Sequence, residues 1–554
     1  MGVDSDKAVW TAETNGIALL ECTVGDMLDK QARDNPARLA IVFDEPPFGS
    51  AVLWTYAELK EHADRLAKGL IALGIERGAR VAVLAPNSPE WLLLEYALAK
   101  IGAVLVTVNT AYKQSELLYL LGQGTIHTLF TVAEFRAYSV QNALDPALES
   151  ATLLPHLKHV VLIGPGVWDR ARTFESVIEL GVGIPDDELR HRQATVSPQD
   201  VSQIQYTSGT TGAPKGAMLT HFSTLNNARL MSERAGFDAN DRTISAMPFF
   251  HTAGCVCNVL GVLVSGGCLV SMAAFDAGRM LAQIAKHRVT IINAVPTMFI
   301  RLLEEPAFRE GRVDCSSVRI AFTGGTTIAP ELMRELRDRL DAEPMIIMGM
   351  TETSPIITQT VNDDDFECRI GTAGKPLPHT EVRIVDPNGD PVACGEPGEL
   401  QIRGYLVTQS YFGLPEKTSS SFDDDKWFRS GDLAVLEKTG HLRIVGRLKD
   451  MIIRGGENLY PAEIEDFLVT HPAVSQAQVV GVKDPEMGEE AFAFVVLRPE
   501  TTVSEGELRA FCRERISRHK VPRYFRFVDE MPLTASGKIK KFELRETASE
   551  LVRR

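Results

Sequence analysis

From Thr55 onward, apolar runs of strand length alternate with helical repeats, and this alternation constrains the fold more than any other feature of the chain. Thr55 stands where a helix cap is wanted, and Ala63, Leu66, Ala67 and Leu70 recur behind it at i, i+3, i+4 and i+7. Arg80 to Ala85 reads as a buried strand, Pro89 to Ile101 as a helix opened by proline, and Ala103 to Val108 as a second buried strand. Strands that are apolar throughout and joined through helices predict a parallel sheet with helices on its faces. The same alternation returns at Met280–His287 (helix), Thr290–Ala294 (strand) and Glu331–Leu340 (helix). With 554 residues the chain is too long for one core, so two or three structural units are expected.

Two later regions change character. Thr380 to Arg403 carries short alternating runs with turns at Pro387-Asn-Gly389 and Gly395-Glu-Pro-Gly398, which predicts a small β-barrel-like unit. Beyond Gly446-Arg-Leu-Lys-Asp450, about a hundred residues show their own βαβ grammar, enough for one small domain. Helices are expected over 462–470 and 505–517, and strands over 477–482 and 491–497. The expected class is α/β: a large N-terminal domain (1–448) of two parallel-type subdomains and the small β unit, then an α+β C-terminal domain (449–554).

Composition excludes several functions. A net charge of −15 gives no support to nucleic-acid binding, which calls for a basic face. Eight cysteines, none in C-x-x-C spacing, make neither a disulfide framework nor a zinc site, and Cys255 and Cys257 read as buried thiols. The apolar stretch from Cys255 to Phe275 reaches membrane-spanning length but is broken by Asn258, Ser265 and Gly266-Gly267. A buried helix, a glycine turn and a buried strand are expected there, with no transmembrane span. The first residues carry acids where a secretory signal has a basic region, so a reduced, cytoplasmic setting is expected.

Thr207-Ser-Gly-Thr-Thr-Gly-Ala-Pro-Lys-Gly216 carries most of the functional information. Four hydroxyls, three glycines and Lys215 share one short loop between strand-like segments at 201–206 and 216–219. Hydroxyls and open backbone N–H groups donate, glycine permits close approach, and lysine is a compact phosphate-seeking charge. A Walker A loop is excluded, because Lys215 is followed by Gly216 and not by Ser or Thr. The loop resembles the phosphate loop of the acyl-adenylate-forming superfamily: acyl-CoA synthetases, peptide-synthetase adenylation domains and beetle luciferases. Further motifs match that superfamily in order over nearly the whole chain.

What the resemblance implies can be set out residue by residue. Thr207, Ser208, Gly209, Thr210, Thr211, Gly212 and Lys215 would hold the β- and γ-phosphates of ATP. In Met348-Gly-Met-Thr-Glu352, with Gly349 and Met350 at the strand end, Thr351 would contact the α-phosphate and Glu352 would hold Mg²⁺. Met348 stands where the family usually has a tyrosine that stacks on adenine, and methionine can pack against a ring. Gly324, Gly325 and Thr326 resemble the strand end against which adenine and the acyl chain pack, with Thr326-Thr327 replacing the usual small-residue-Pro pair. Asp432 and Arg447 would take the ribose. His251, in Met247-Pro-Phe-Phe-His-Thr-Ala-Gly254, would line the acid pocket, and the absence of an F-D motif there disfavours an amino-acid substrate. Lys538 matches the lysine that reaches the carboxylate and α-phosphate during adenylation. Lys449 matches the hinge, and Gly455-Gly456 would border the thiol's path after the C-terminal domain swings.

The expected activity is that of an ATP-dependent acyl-CoA synthetase using Mg²⁺ and CoA. Small and apolar residues among Phe249–Asn258, Thr297–Ile300, Thr323–Gly325 and Gly349–Thr353 favour a medium- or long-chain fatty acid, or an aromatic or alicyclic acid. In this reading Gly325 and Gly349 leave room for it. The alternative acceptor is an acyl carrier protein, and the chain is expected as a monomer or homodimer.

Overall fold

The structure, a computed structural model, describes residues 7–14, 16–135, 138–150, 152–207, 214–326, 328–455, 457–534 and 539–553. The expected Thr55 cap is present. Its hydroxyl accepts the Glu58 N–H and the Glu58 carboxylate accepts the Thr55 N–H, which opens the helix Tyr56–Ala72. The strand Arg80–Leu84, the helix Pro89–Ile101 and the strand Val104–Thr107 follow, and the two strands pair in parallel.

Among the described residues three large sheets precede residue 448, beside a two-stranded antiparallel pair, Glu134–Phe135 with Tyr138–Ser139. The first has seven strands in the order Arg172–Thr173, His159–Leu162, Thr128–Thr131, Arg80–Leu84, Val104–Thr107, Val201–Thr207 and Lys215–Thr220. Every neighbour is parallel except the last pair, which is antiparallel with Thr207 opposite Lys215. The second sheet has nine strands, whose parallel middle runs Glu343–Gly349, Ile320–Gly324, Ile291–Asn293, Arg242–Ser245, Cys268–Ser271 and Leu39–Phe43. The β-barrel-like unit is an antiparallel sheet of five strands: Val9–Trp10, Thr380–Val385, Pro397–Gly404, Phe428–Leu436 and Leu442–Arg447.

The helix Pro89–Ile101 packs with Tyr56–Ala72 and Val24–Asp34, and Trp91, Leu92, Leu94, Leu98 and Ile101 are wholly buried. A helix apolar all round belongs in an interior. Its charged members are therefore informative. Lys100 is buried but pairs with Asp29 and with Asp64 at 2.8 Å. Glu95 is buried with no hydrogen-bond partner for either oxygen among the described residues, and burial raises its pKa well above the usual carboxylate range.

After Arg447 a short turn, Leu448–Asp450, leads into a separate sheet. Val474–Asp484 and Gly488–Leu497 form an antiparallel hairpin in place of the expected βαβ crossover. The crossover comes one element later, where the helix Glu505–Arg515 carries the chain to Tyr524–Phe527, parallel to Gly488–Leu497. The hairpin is selected because only three residues separate the two strands, too few for a helical crossover.

Candidate active site

The motif residues gather where parallel strands end. Thr207, Gly324 and Gly349 are the last residues of their strands, and Met247–Gly254 follows the strand that closes at Ser245. The carboxyl ends of such sheets form the crevice in which α/β proteins bind ligands. Ser208, Gly209, Thr210, Thr211 and Gly212 lie outside the described residues, as do Thr327, Gly456 and Lys538. The two flanks of the phosphate loop, Thr207 and Lys215, are paired.

Lys215 and Glu352 are brought together. Their nearest charged atoms are 3.4 Å apart, and the hydroxyl of Tyr411 bridges them. Lys215 Nζ donates to Tyr411 Oη at 2.7 Å, and Tyr411 Oη donates to Glu352 Oε1 at 2.8 Å. Three backbone bonds hold this arrangement. Met218 N–H donates to Ser410 O, Phe412 N–H donates to Gly216 O, and Thr408 N–H donates to Glu352 O. The 408–412 segment thereby joins the phosphate-loop strand to the turn Thr351–Thr353. Thr351 and Glu352 are both buried in that turn. Tyr411 was missed by sequence reasoning; the signal available was an aromatic residue closing the polar run Thr408-Gln-Ser-Tyr411. It also walls an open cavity of about 880 Å³ with Thr408, Ser410 and Lys426.

Asp432 and Arg447 face each other across neighbouring strands, with Arg447 Nε 2.9 Å from Asp432 Oδ1 and the carboxylate buried. Lys449 lies in the turn after Arg447. Gly455 opens a two-residue connection between Ile452–Arg454 and Glu457–Leu459, with φ +59° and its N–H donating to Met487 O at 2.8 Å. That backbone conformation favours glycine.

His251 begins an irregular segment. Its Nδ1 accepts the Ala253 N–H at 3.2 Å, and Ala253–Leu260 winds as a π-helix before Gly261–Ser265 turns α-helical. The glycine turn at Gly266 and the buried strand Cys268–Ser271 follow as expected. π-Helical turns are rare and cluster at functional sites. Polar side chains pin this one to both large sheets. Cys255 meets Gln203 and Gln205 of the first, and Asn258 meets Ser245 and Asn293 of the second. Burial, reinforced by Glu95, raises the Cys255 thiol well above its usual pKa.

Several residues expected to line the acid pocket serve the chain itself. Phe249 packs on Trp91 and Phe43 in the core, and Phe299 and Thr323 are wholly buried. A Cβ on Gly349 would lie 1.9 Å from Pro355 O, so the space at this glycine is filled by the neighbouring strand. Gly324 likewise admits Ile347 O, and Gly325 has φ +87°. Met348 and Met350 pack against the core of the five-stranded sheet, and Thr326 is exposed.

Sheets open at their carboxyl ends, with a lysine–carboxylate pair at the strand ends, define an α/β protein with a ligand-binding crevice. The chain matches the AMP-binding enzyme family over residues 28–412 and the AMP-binding enzyme C-terminal domain over residues 463–538. YngI of Bacillus subtilis (strain 168) is 41% identical over 545 residues, 96% of this chain and 98% of that one. The mitochondrial medium-chain acyl-CoA ligase ACSF2 of Rattus norvegicus is 38% identical over 545 residues, covering 95% of this chain and 88% of its own length. The structure of the anthranilate CoA ligase AuaEII in complex with anthranoyl-AMP aligns with TM-score 0.84 and 27% identity, over 98% of this chain and 99% of that one. The chain belongs to the AMP-binding enzyme family. Within it the chain falls in the acyl-CoA synthetase branch, the AMP-forming acid–CoA ligases, which use ATP and CoA. Among the described residues no helix is long and apolar enough to cross a membrane.

Proposed function

We propose that the enzyme activates a hydrophobic carboxylic acid, a medium- or long-chain fatty acid or an aromatic or alicyclic acid, as its acyl adenylate and passes the acyl group to CoA. The observation that carries the site assignment is the Lys215–Tyr411–Glu352 arrangement at the strand ends. Joining a carboxylate to the α-phosphate brings two anions together, so cations and donors must be fixed beforehand at the meeting point. Lys215 supplies one such charge toward the β- and γ-phosphates, Thr351 a hydroxyl toward the α-phosphate, and Asp432 with Arg447 a pair for the ribose diol. His251 would border the acid as a positioning wall, with its Nδ1 accepting the Ala253 N–H.

Magnesium is bound through one or two carboxylates together with substrate phosphates. Glu352 offers a single carboxylate beside the phosphate lysine, and no group of three or more His, Cys, Asp or Glu gathers among the described residues. That donor set fits a cation brought in with the nucleotide, which Glu352 would hold and which would neutralise phosphate charge. Lys449 is the proposed hinge between domains 1–448 and 449–554; the change of sheet between Arg447 and Ile452 supports it. Lys538 would act in adenylation, and Gly455-Gly456 would border the thiol's path once the C-terminal domain has turned. The buried thiols Cys255, Cys257, Cys268, Cys315 and Cys512 support a reducing compartment such as the cytoplasm.

The test is pyrophosphate release across a panel of carboxylic acids, with and without CoA, with products identified by mass. Hydrophobic acids should give AMP, pyrophosphate and a CoA thioester. Failure of every acid to release pyrophosphate would refute the reading, and transfer only to a holo-carrier protein would move the acceptor from CoA.

A further inference from the structure

Tyr411 is placed unlike an ordinary buried phenol. Its hydroxyl both accepts from Lys215 and donates to Glu352, which uses its one proton and one lone pair on two opposite charges. The ring lies under the lysine, with Nζ 4.1 Å from its centroid. The backbone is equally committed: Tyr411 bridges to Ala217, and its N–H donates to Thr418 Oγ1 at 3.0 Å. The side chain is buried against Ala217 and Leu219.

We propose that Tyr411 is a positioning residue that holds Lys215 and Glu352 in separate hydrogen bonds, so that affinity for the polyphosphate end of metal-bound ATP depends on its hydroxyl. This rests on the assignment of Lys215 and Glu352 made above. The physical reason is the 3.4 Å separation of the two charges. Without the hydroxyl, the ammonium can close directly onto the carboxylate, and phosphate and cation would then have to part an ion pair before binding. With it, each charge already has a partner that it can exchange locally. Groups that orient a metal carboxylate or phosphate lysine in this way govern affinity without touching the ligand.

Tyr411→Phe keeps the ring, its packing and the contact with Lys215, and removes only the oxygen. The full chain and this variant are compared by calorimetric titration with ATP, with and without MgCl₂, and with AMP. MgATP should bind on the order of 10–100-fold more weakly to the variant. AMP has no β- or γ-phosphate for Lys215, and it should bind within about twofold of wild type. Unchanged MgATP affinity, or equal losses for ATP and AMP, would overturn the proposal. A second comparison does not depend on the first: in a Lys215→Gln background, adding Tyr411→Phe should cost far less than it does alone, and full additivity would overturn the coupling. If wild type itself binds no MgATP, the site assignment fails first and the proposal with it.

Discussion

Gly349→Ala separates two explanations of one glycine. If its missing Cβ leaves room for the acid, the substitution narrows the range of acids accepted. If the space belongs to the chain, every acid suffers alike. The structure favours the second. The added Cβ would stand 1.9 Å from Pro355 O, where real Cβ contacts essentially never fall below 3.0 Å, so the two strands must open by about 1 Å. Pro355 O accepts the Met350 N–H at 2.9 Å and the Thr353 hydroxyl at 2.6 Å, and these bonds shape the turn that carries Thr351 and Glu352. Overpacking of this kind costs about 1–3 kcal/mol, and two weakened hydrogen bonds add about 1 kcal/mol each. Displacing catalytic groups by about 1 Å lowers rates on the order of 10²-fold. Pyrophosphate release should therefore fall by that order for short and long acids in the same proportion, with a lower thermal midpoint. A variant that keeps short acids and rejects only bulky ones, at unchanged stability, would refute the packing argument.

Three further outcomes are expected. Burial raises the native pKa of Glu95 well above the ordinary glutamate value of 4.5, so its contribution to stability is full below that pH and is lost as pH rises. Glu95→Gln should accordingly outlast wild type by a margin that grows about 1.4 kcal/mol per pH unit until the native pKa is reached, and denaturant midpoints that run parallel across pH would exclude a neutral buried acid. His221 behaves in the opposite sense: buried, with Nδ1 accepting the Val24 N–H at 3.3 Å, its pKa is lowered from 6.5 to about 4. The stability it contributes is present above pH 6.5 and lost on acidification toward pH 4, about 3 kcal/mol in all. His221→Asn should flatten that acid limb, and an unaltered limb would reassign it. Lys538→Ala should depress adenylation far more than thioester formation from preformed adenylate, and equal losses in both half-reactions would count against its assigned role.

Local chemistry was legible in the sequence where one segment carries it whole. The helix Pro89–Ile101 is bounded as its proline and apolar period require, and the phosphate-loop strands pair across the loop that their composition announces. Asp432 and Arg447, read from two motifs as joint ribose ligands, are cross-strand partners, a register that no short motif encodes. Glycines were harder. The absence of a side chain is plain in any sequence, whereas the atom that uses the space is set by tertiary packing; at Gly349 and Gly324 that atom is a neighbouring carbonyl. The π-helix was invisible for a related reason. The sequence from Ala253 to Leu260 has an ordinary helical pattern, and the extra residue per turn becomes favourable only when Cys255 and Asn258 must reach polar partners on two different sheets.

Tyr411 marks the limit of that legibility and also shows what the fold adds to the motifs. It lies 196 residues from Lys215 and 59 from Glu352, so no local pattern joins it to either. A lysine and a carboxylate at strand ends would, on their own, be an unremarkable ion pair, and such pairs contribute little when exposed. Here the carboxylate is buried, the lysine is about a third exposed, and one phenol hydroxyl is hydrogen-bonded to both. An arrangement selected only for stability would bring the charges into direct contact, since that maximises their attraction at fixed burial. A hydroxyl bonded to both leaves the charges 3.4 Å apart while keeping each oriented and hydrogen-bonded. That arrangement makes physical sense for groups that must each turn toward another partner, one toward phosphate oxygens and the other toward the cation those oxygens carry.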